Sequence, residues 1–288
     1  MNDSLIILAG GASSRMKNPA ESVKISVEEV KQANQRSKSL IGIGPENRPF
    51  LDFLLTNAKE AGYKNIFLIV GKDNKLFREY YGQKDRGNNY KGLTISYAIQ
   101  HIPEFRVKPF GTADALRQCL EQYPDLIEHS FSVCNSDNLY SIKALNAIAE
   151  LDYPNGFISY DRESLQFNSE RIKQFALAKL DEHNYLMDII EKPKENEVEE
   201  FRDNYGKLRI SMNLFKFKGK YIYPFVKNCP VNPNRNEKEL QTAILNMLRK
   251  YPKSMIGIPL AEHVPDLTSK DDINTIKEYI KKYRWITN

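Results

Sequence analysis

Cysteine is scarce in this 288-residue chain. There are three, Cys119, Cys134 and Cys229, with no C-x-x-C among them, and the four histidines do not cluster with them. No zinc pattern exists, and buried free thiols in a reducing compartment are expected. No apolar run is long enough to cross a bilayer, and Met1-Asn2-Asp3-Ser4 lacks the basic stretch that opens a signal peptide. The cytoplasm is therefore the expected location, without a membrane partner. Two phosphate-binding patterns are also missing: there is no G-x-x-x-x-G-K-[ST], and Gly10-Gly11 lacks the third glycine of G-x-G-x-x-G. No internal repeat runs through the chain. Charge of one sign is not concentrated either. The net charge of +5 suits anionic substrates but brings none of the dense basic patches of a nucleic-acid binder.

What is present is an ordinary globular composition, 41% hydrophobic and 27% charged. The length favours one large α/β domain, or one with a small appended subdomain. Its most informative stretch is the beginning. Leu5-Ile6-Ile7-Leu8 reads as a short buried strand. Gly10-Gly11 then lets the backbone turn sharply and approach a ligand. Free amides in such a loop form a concave anion site, and Arg15 adds a fixed charge with a fork of donors suited to phosphate. The bare pattern fits a tight strand-to-helix turn with a surface arginine slightly better, since glycine-rich loops after strands are common.

Along the chain, Lys17 to Ser39 is polar and reads as a surface loop with a short helix. Asp52–Gly62 reads as a helix stopped by its glycine, and Asn65–Gly71 as a buried strand, giving a βαβ unit in a parallel sheet. Lys72–Tyr81 reads as a second helix, Gln83–Gly92 as a polar turn region, and Leu93–Gln100 as a third strand. Gly111 stands at a helix start that the Thr112 hydroxyl can cap. Ser130–Asn135 is an apolar strand running into Asp137 at its carboxyl end, where ligands sit in open α/β sheets. Ser141 is the better cap for the next helix, to Glu150. Further on, Gly156–Tyr160 is a strand and Arg162–Arg171 a polar loop. Gln174–Leu180 and Tyr185–Ile190 form a hairpin, and Leu208–Phe217 is another strand. Helices open near Asn236–Ile244 and over Ser269–Tyr283.

Leu8-Ala9-Gly10-Gly11-Ala12-Ser13-Ser14-Arg15-Met16 resembles the opening signature of the nucleotidyltransferases that make nucleotide sugars, L-A-G-G-x-x-[ST]-R-[LM]. Guanylyltransferases of molybdenum-cofactor synthesis and cytidylyltransferases share it, so it marks the superfamily better than the substrate. Further matches occur in family order. Lys38 precedes an apolar segment and a turn, as the family's lysine does, with Lys17–Ser37 partly an insertion and Lys24 a rival. Tyr97-Ala98-Ile99-Gln100 is similar to a Tyr-x-x-Gln strand end, and Gly111-Thr112-Ala113-Asp114-Ala115-Leu116 to G-T-A-x-A-[LV]. Asp137 falls at the aspartate of V-x-N-[GA]-D, and Glu191-Lys192-Pro193 at E-K-P. Asn213 matches the asparagine of N-x-G-x-[YF]-x-F, although the glycine is absent. Asn236 to Ile244 resembles E-x-x-L-T-D-A-[IL], and Asp266 falls at the family's second metal-binding aspartate.

The resemblance implies an α/β fold with a Rossmann-like mixed, mostly parallel sheet, helices on both faces, and no C-terminal β-helix. It implies one domain, with about 1–150 as the nucleotide half and about 151–288 as the sugar half. The implied reaction joins an NTP and a sugar 1-phosphate, or a similar phosphorylated acceptor, to give NDP-sugar and pyrophosphate. Leu8, Ala9, Gly10, Gly11, Gln100, Gly111 and Thr112 would bind the nucleotide. Gln100 would meet the base, and Gly111 would lie against it because a side chain there would block it. Arg15 would neutralise the pyrophosphate, and Lys38 and Lys192 would hold the reacting phosphates. Glu191 and Asn213 would contact the sugar. Asp137 and Asp266 would hold Mg²⁺, which takes one or two carboxylates plus substrate phosphates. A GT-A-type glycosyltransferase and a non-catalytic nucleotide-sugar binder remain alternatives. The base, the sugar and any homo-oligomer are left open.

Overall fold

The structure is a computed structural model that describes residues 2–19, 25–191, 193–194 and 196–282. Strand β1 (Ser4–Leu8) is followed by a 3-10 turn at Arg15–Lys17 and helix α1 (Val27–Gln35). Then come α2 (Phe50–Glu60), β2 (Asn65–Val70), α3 (Lys75–Tyr81), β3 (Asn88–Tyr90) and β4 (Leu93–Ile99). Next are α4 (Thr112–Gln122), α5 (Asp125–Glu128), β5 (Ser130–Asn135), α6 (Ile142–Glu150) and β6 (Asn155–Asp161). The remainder is α7 (Ser169–Ile172), the hairpin β7 (Ala176–Leu180) and β8 (Leu186–Ile190), β9 (Arg209–Lys218), α8 (Gly219–Lys227), α9 (Leu240–Lys250), β10 (Met255–Leu260) and α10 (Asp272–Lys282).

These strands form one mixed sheet in the order β10-β6-β9-β5-β1-β2-β4-β3, with β7 beside β9 and β8 beside β7. Strands β5, β1, β2 and β4 run parallel, as do β10 and β6. Antiparallel β9 joins the two groups. The mixed, mostly parallel sheet expected from the sequence is present.

Alternation along β1 explains its central place. Leu5 and Ile7 enter one core and Ile6 the other, because successive strand side chains point to opposite faces. Helices α2 and α6 cover the first face with Leu51, Leu54, Leu145 and Ile148. Helices α4, α8 and α9 cover the second with Leu116, Leu120, Ile222, Ala243 and Met247. A smaller third core joins Met16, Ala33, Ile41, Phe53, Leu267, Ile273 and Ile276. It ties the loop after β1 and the polar insertion to α10, and so fixes the segments that carry Arg15, Lys38 and Asp266. The short helix expected in that insertion is α1. A capping box starts it, with Ser26 Oγ accepting from the Glu29 amide and Glu29 accepting from the Ser26 amide.

Five elements depart from the sequence reading. The polar turn region contains β3, antiparallel to β4. Helix α7 interrupts the expected polar loop, and helices α5 and α8 and strand β10 are not foreseen from the sequence. Thr112 does not cap its own helix: Gly111 is the N-cap and no side chain fills that role. The Thr112 hydroxyl accepts instead from the Leu240 amide, at 2.9 Å, at the start of α9.

Candidate active site

The loop after β1 turns over the carboxyl ends of β1 and β5. Ser136 N–H donates to Leu8 O, which brings Asn135, Ser136 and Asp137 beside Gly10 and Gly11. A cavity of about 340 Å³ opens there. It is lined by Leu8, Ala9, Gly10, Gly11, Arg15, Lys38, Gln100, Gly111, Thr112 and Asp137, among others. Every residue assigned to the nucleotide by resemblance therefore meets in one space. Gly11 has nothing within 4 Å of where a Cβ would stand, so its open side faces the cavity.

Gln100 is buried, and its Nε2 donates to Gly111 O at 3.3 Å. The amide is thereby fixed with Oε1 toward Gly10, whose hypothetical Cβ would come within 3.0 Å of it. Gly111 is required for a reason that sequence reading did not supply. Its φ is +103°, and a Cβ would stand 2.3 Å from Lys238 O. The close neighbour is the backbone leading into α9, whatever occupies the cavity.

A second cavity, about 510 Å³, adjoins the first. Arg15, Lys38, Asn135 and Asp137 line both. Its remaining wall includes Asn213, Ser211, Arg171, Asp266 and Thr268. Lys38 lies on this shared wall with its Nζ 2.8 Å from Asp137 Oδ2, and its amide reaches Ser13 Oγ. Asn213 sits at φ +59°, a region asparagine tolerates better than most residues. Its Oδ1 accepts from Gln241 Nε2 at 3.1 Å, across to α9.

Asp266 reaches the cleft through backbone pairing. Asn138 and Asp266 form an antiparallel bridge, and Leu267 N–H donates to Asp137 O at 2.8 Å. Burial pushes the Asp266 carboxyl above its usual range, and the negative Asp137 adds to the rise. Arg171 and Thr268 oppose it with hydrogen bonds of 2.9 and 2.8 Å to Oδ2. Two carboxylates whose charges repel, facing one cleft, form an oxygen donor pair of the kind a hard divalent cation takes. Among the described residues no cluster of three or more His, Cys, Asp or Glu forms a fuller cage, so substrate oxygens or water would complete the shell.

One assigned residue stands apart. Glu191 is ion-paired with Arg235 at 2.5 Å and is outside the lining of both cavities. Lys192 falls outside the described residues, as does the rival Lys24. The sequence reading missed Arg171, placed in a polar loop, and Asn135, on the wall between the cavities. No motif marks Arg171, whereas Asn135 stands at the asparagine of V-x-N-[GA]-D, where only the aspartate drew a role. It also gave no role to Lys108 and Glu237, which line the first cavity.

A family model described as nucleotidyl transferase matches residues 4–257, and the chain belongs to that family. Among curated proteins it is similar to the small subunit of chloroplastic/amyloplastic glucose-1-phosphate adenylyltransferase from Triticum aestivum. Identity is 25% over 201 residues, covering 66% of this chain and 37% of the relative. D-glycero-alpha-D-manno-heptose 1-phosphate guanylyltransferase from Campylobacter jejuni is 24% identical over 137 residues, covering 48% of each chain. Glucose-1-phosphate adenylyltransferase from Francisella tularensis subsp. novicida is 22% identical over 272 residues, covering 90% of this chain and 59% of the relative. The matches thus span between 37% and 59% of these relatives' lengths. Among solved structures, UDP-glucose pyrophosphorylase complexed with UDP-glucose superimposes with a TM-score of 0.72. It covers 99% of this chain and 100% of that one at 14% identity, a likeness of fold. No helix among the described residues is long and apolar enough to cross a membrane.

Proposed function

We propose that the protein condenses a nucleoside triphosphate with a sugar 1-phosphate, or a similar phosphorylated acceptor, to give a nucleotide sugar and pyrophosphate. The observation that carries this reading is the pair of adjoining cavities with Arg15, Lys38, Asn135 and Asp137 on their common wall. Two substrates in neighbouring spaces, with cationic side chains and a carboxylate where they meet, is the arrangement that transfer between two phosphates needs. The relatives named as sugar 1-phosphate adenylyl- and guanylyltransferases support the same reading. We read the chain as one domain, with about 1–150 holding the nucleotide and about 151–288 the acceptor.

The acceptor phosphate is already anionic at neutral pH, so the reaction needs no general base. Its oxygen attacks the α-phosphorus in line, and pyrophosphate leaves. The protein's part is positioning and charge neutralisation. The loop at Gly10 and Gly11 holds the triphosphate, and Arg15 balances charge on the pyrophosphate side. Lys38 exchanges its contact with Asp137 for the substrate phosphates, and Lys192 holds the acceptor phosphate. Mg²⁺ on Asp137 and Asp266 would supply charge neutralisation at the α-phosphate. The protein would work in the cytoplasm, where triphosphates are held and where its three unpaired cysteines stay reduced.

The deciding experiment measures pyrophosphate release with Mg²⁺, crossing each NTP with a panel of sugar 1-phosphates and other phosphorylated acceptors. Release with one pair identifies both substrates. No release with any pair, despite nucleotide binding, would overturn the proposal.

A further inference from the structure

Arg171 has no part in the reaction proposed above, yet it is among the most constrained cations in the cleft. It comes from α7, a single turn whose Asn168 side chain accepts the Arg171 amide at 2.9 Å. Its Nη2 donates to Asp266 twice, to Oδ2 at 2.9 Å and to the backbone carbonyl at 2.8 Å. Its Nη1 donates to Asp272 Oδ1. Its guanidinium carbon lies 4.5 Å over the Phe167 ring. Asp272 is itself fixed, because its Oδ2 accepts from the amides of Thr268 and Ser269 at 2.8 and 2.7 Å at the start of α10. The guanidinium is therefore held in plane by an aromatic face and at one edge by an immobile carboxylate. Its other edge grips Asp266.

The hydrogen bonds on the Asp266 side chain among the described residues fall on Oδ2, from Arg171 and from Thr268. One oxygen is thus occupied by two donors, and its carboxylate plane is set. The backbone carbonyl bond removes the remaining freedom, since the same guanidinium nitrogen fixes main chain and side chain together. We infer that Arg171 is a positioning residue. Braced on Asp272 and Phe167, it orients Asp266 so that Oδ1 is presented to the cleft as the ligand for a divalent cation. This rests on the proposed reading of Asp266 as a cation ligand. The physical basis is that a ligating carboxylate works from a fixed orientation, which hydrogen bonds from behind the ligand supply. A planar five-donor fork holds Asp266 and Asp272 along fixed directions, whereas the rotatable donors of a lysine on its flexible stem do not.

The test titrates the full chain with Mn²⁺ alone, following free Mn²⁺ by electron paramagnetic resonance. Wild type is compared with Asp266→Asn, Arg171→Gln and Arg171→Lys. Metal-free nucleotide affinity and melting temperature are measured in parallel. Asp266→Asn is expected to weaken Mn²⁺ binding, and Arg171→Gln to weaken it on the order of 10- to 100-fold. Metal-free nucleotide affinity should stay near wild type in Arg171→Gln, which a general loss of structure would not allow. Arg171→Lys keeps a positive charge and is expected to bind Mn²⁺ about tenfold more weakly than wild type. It decides the matter if the glutamine variant does not fold. Wild-type or tighter Mn²⁺ binding by an Arg171 variant, with Asp266→Asn still weakened, overturns the positioning role alone. Equal binding by wild type and Asp266→Asn overturns the cation-ligand reading and the inference with it.

Discussion

Lys38 and Asp137 stand 99 positions apart in the chain and meet at 2.8 Å on the wall between the two cavities. Each is partly screened from solvent, with side chains 15% and 25% exposed. In a pair this far removed from water the cost of desolvating both charges offsets much of their attraction, so it is weak support for the fold. Its placement is better explained by use than by folding, since both groups face the space where the reacting phosphates would lie. Asp137→Asn is therefore expected to melt close to wild type while pyrophosphate release falls by about 100-fold or more, the scale for losing one charge-stabilising group. Lys38→Met should behave alike. Undiminished release by Asp137→Asn with Mg²⁺ in excess would remove Asp137 from the mechanism.

Two glycines lining the first cavity, Gly111 and Gly11, separate a folding role from a binding role. Gly111→Ala forces a Cβ to within 2.3 Å of Lys238 O at φ +103°. Backbone on backbone leaves little room to adjust, so a loss of several kcal/mol, about 3 or more, is expected from the combined strain and overlap. Gly11→Ala meets nothing within 4 Å, so the fold should be unaffected. The new methyl projects into the cavity, and NTP affinity should fall. Thermal melts and nucleotide titrations of the two variants should therefore give opposite patterns. A stable Gly111→Ala would mean that α4 and α9 can move apart at little cost.

On the proposed reading Asn213 contacts the acceptor, and Gln241 holds its side chain. Asn213→Gly is the clean substitution, because glycine adopts φ +59° without strain and only the amide is lost. The acceptor KM should rise about 2- to 10-fold, the value of one hydrogen bond, with nucleotide affinity unchanged. Gln241→Leu removes the donor that fixes Asn213 Oδ1, and should raise the same KM by less. An effect of either variant on nucleotide binding alone would move Asn213 out of the acceptor site.

The parts of this arrangement that were legible in the sequence are those where one local stretch carries both the turn and the chemistry. The loop from Leu8 to Arg15, Gln100 at a strand end, and Asp137 after β5 each needed only a strand and the few residues beyond its end. Relationships between distant segments were not legible. Thr112 reads as a helix cap because its sequence neighbours suggest one, but its hydroxyl is taken by Leu240 from another helix. Gly111 reads as making room for a base, yet its tight neighbour is Lys238. Strand β10 contains Gly257 and Pro259, which weaken any strand pattern. It is tolerated because β10 is the outermost strand beyond β6. Arg171 gave no signal, since an arginine in a polar loop looks solvated until Asp266 and Asp272 are brought to it from the far end of the chain.

His263 makes the last prediction, one of stability against pH. Its ring lies between Phe167 and Tyr279. Nδ1 faces the Gln166 amide at 3.1 Å and so accepts, which requires the neutral ring. Burial, with a further contribution from the positive Arg171 nearby, lowers its pKa from 6.5 to about 4. A histidine whose folded pKa is depressed binds its proton more readily in the unfolded chain. The unfolded state therefore takes up protons first as pH falls, and stability drops with it. The His263 contribution is fully present above pH 6.5 and is lost progressively down to about pH 4. Glu262, whose carboxyl burial raises, acts in the opposite sense. Its protonation is easier in the folded state, so it partly offsets the loss in the lower part of that window. Melting temperatures of wild type and His263→Gln should converge as pH falls from 7 to 4.5, with wild type the steeper curve. Parallel curves across that range would mean that His263 is protonated in the folded protein as readily as in the unfolded chain.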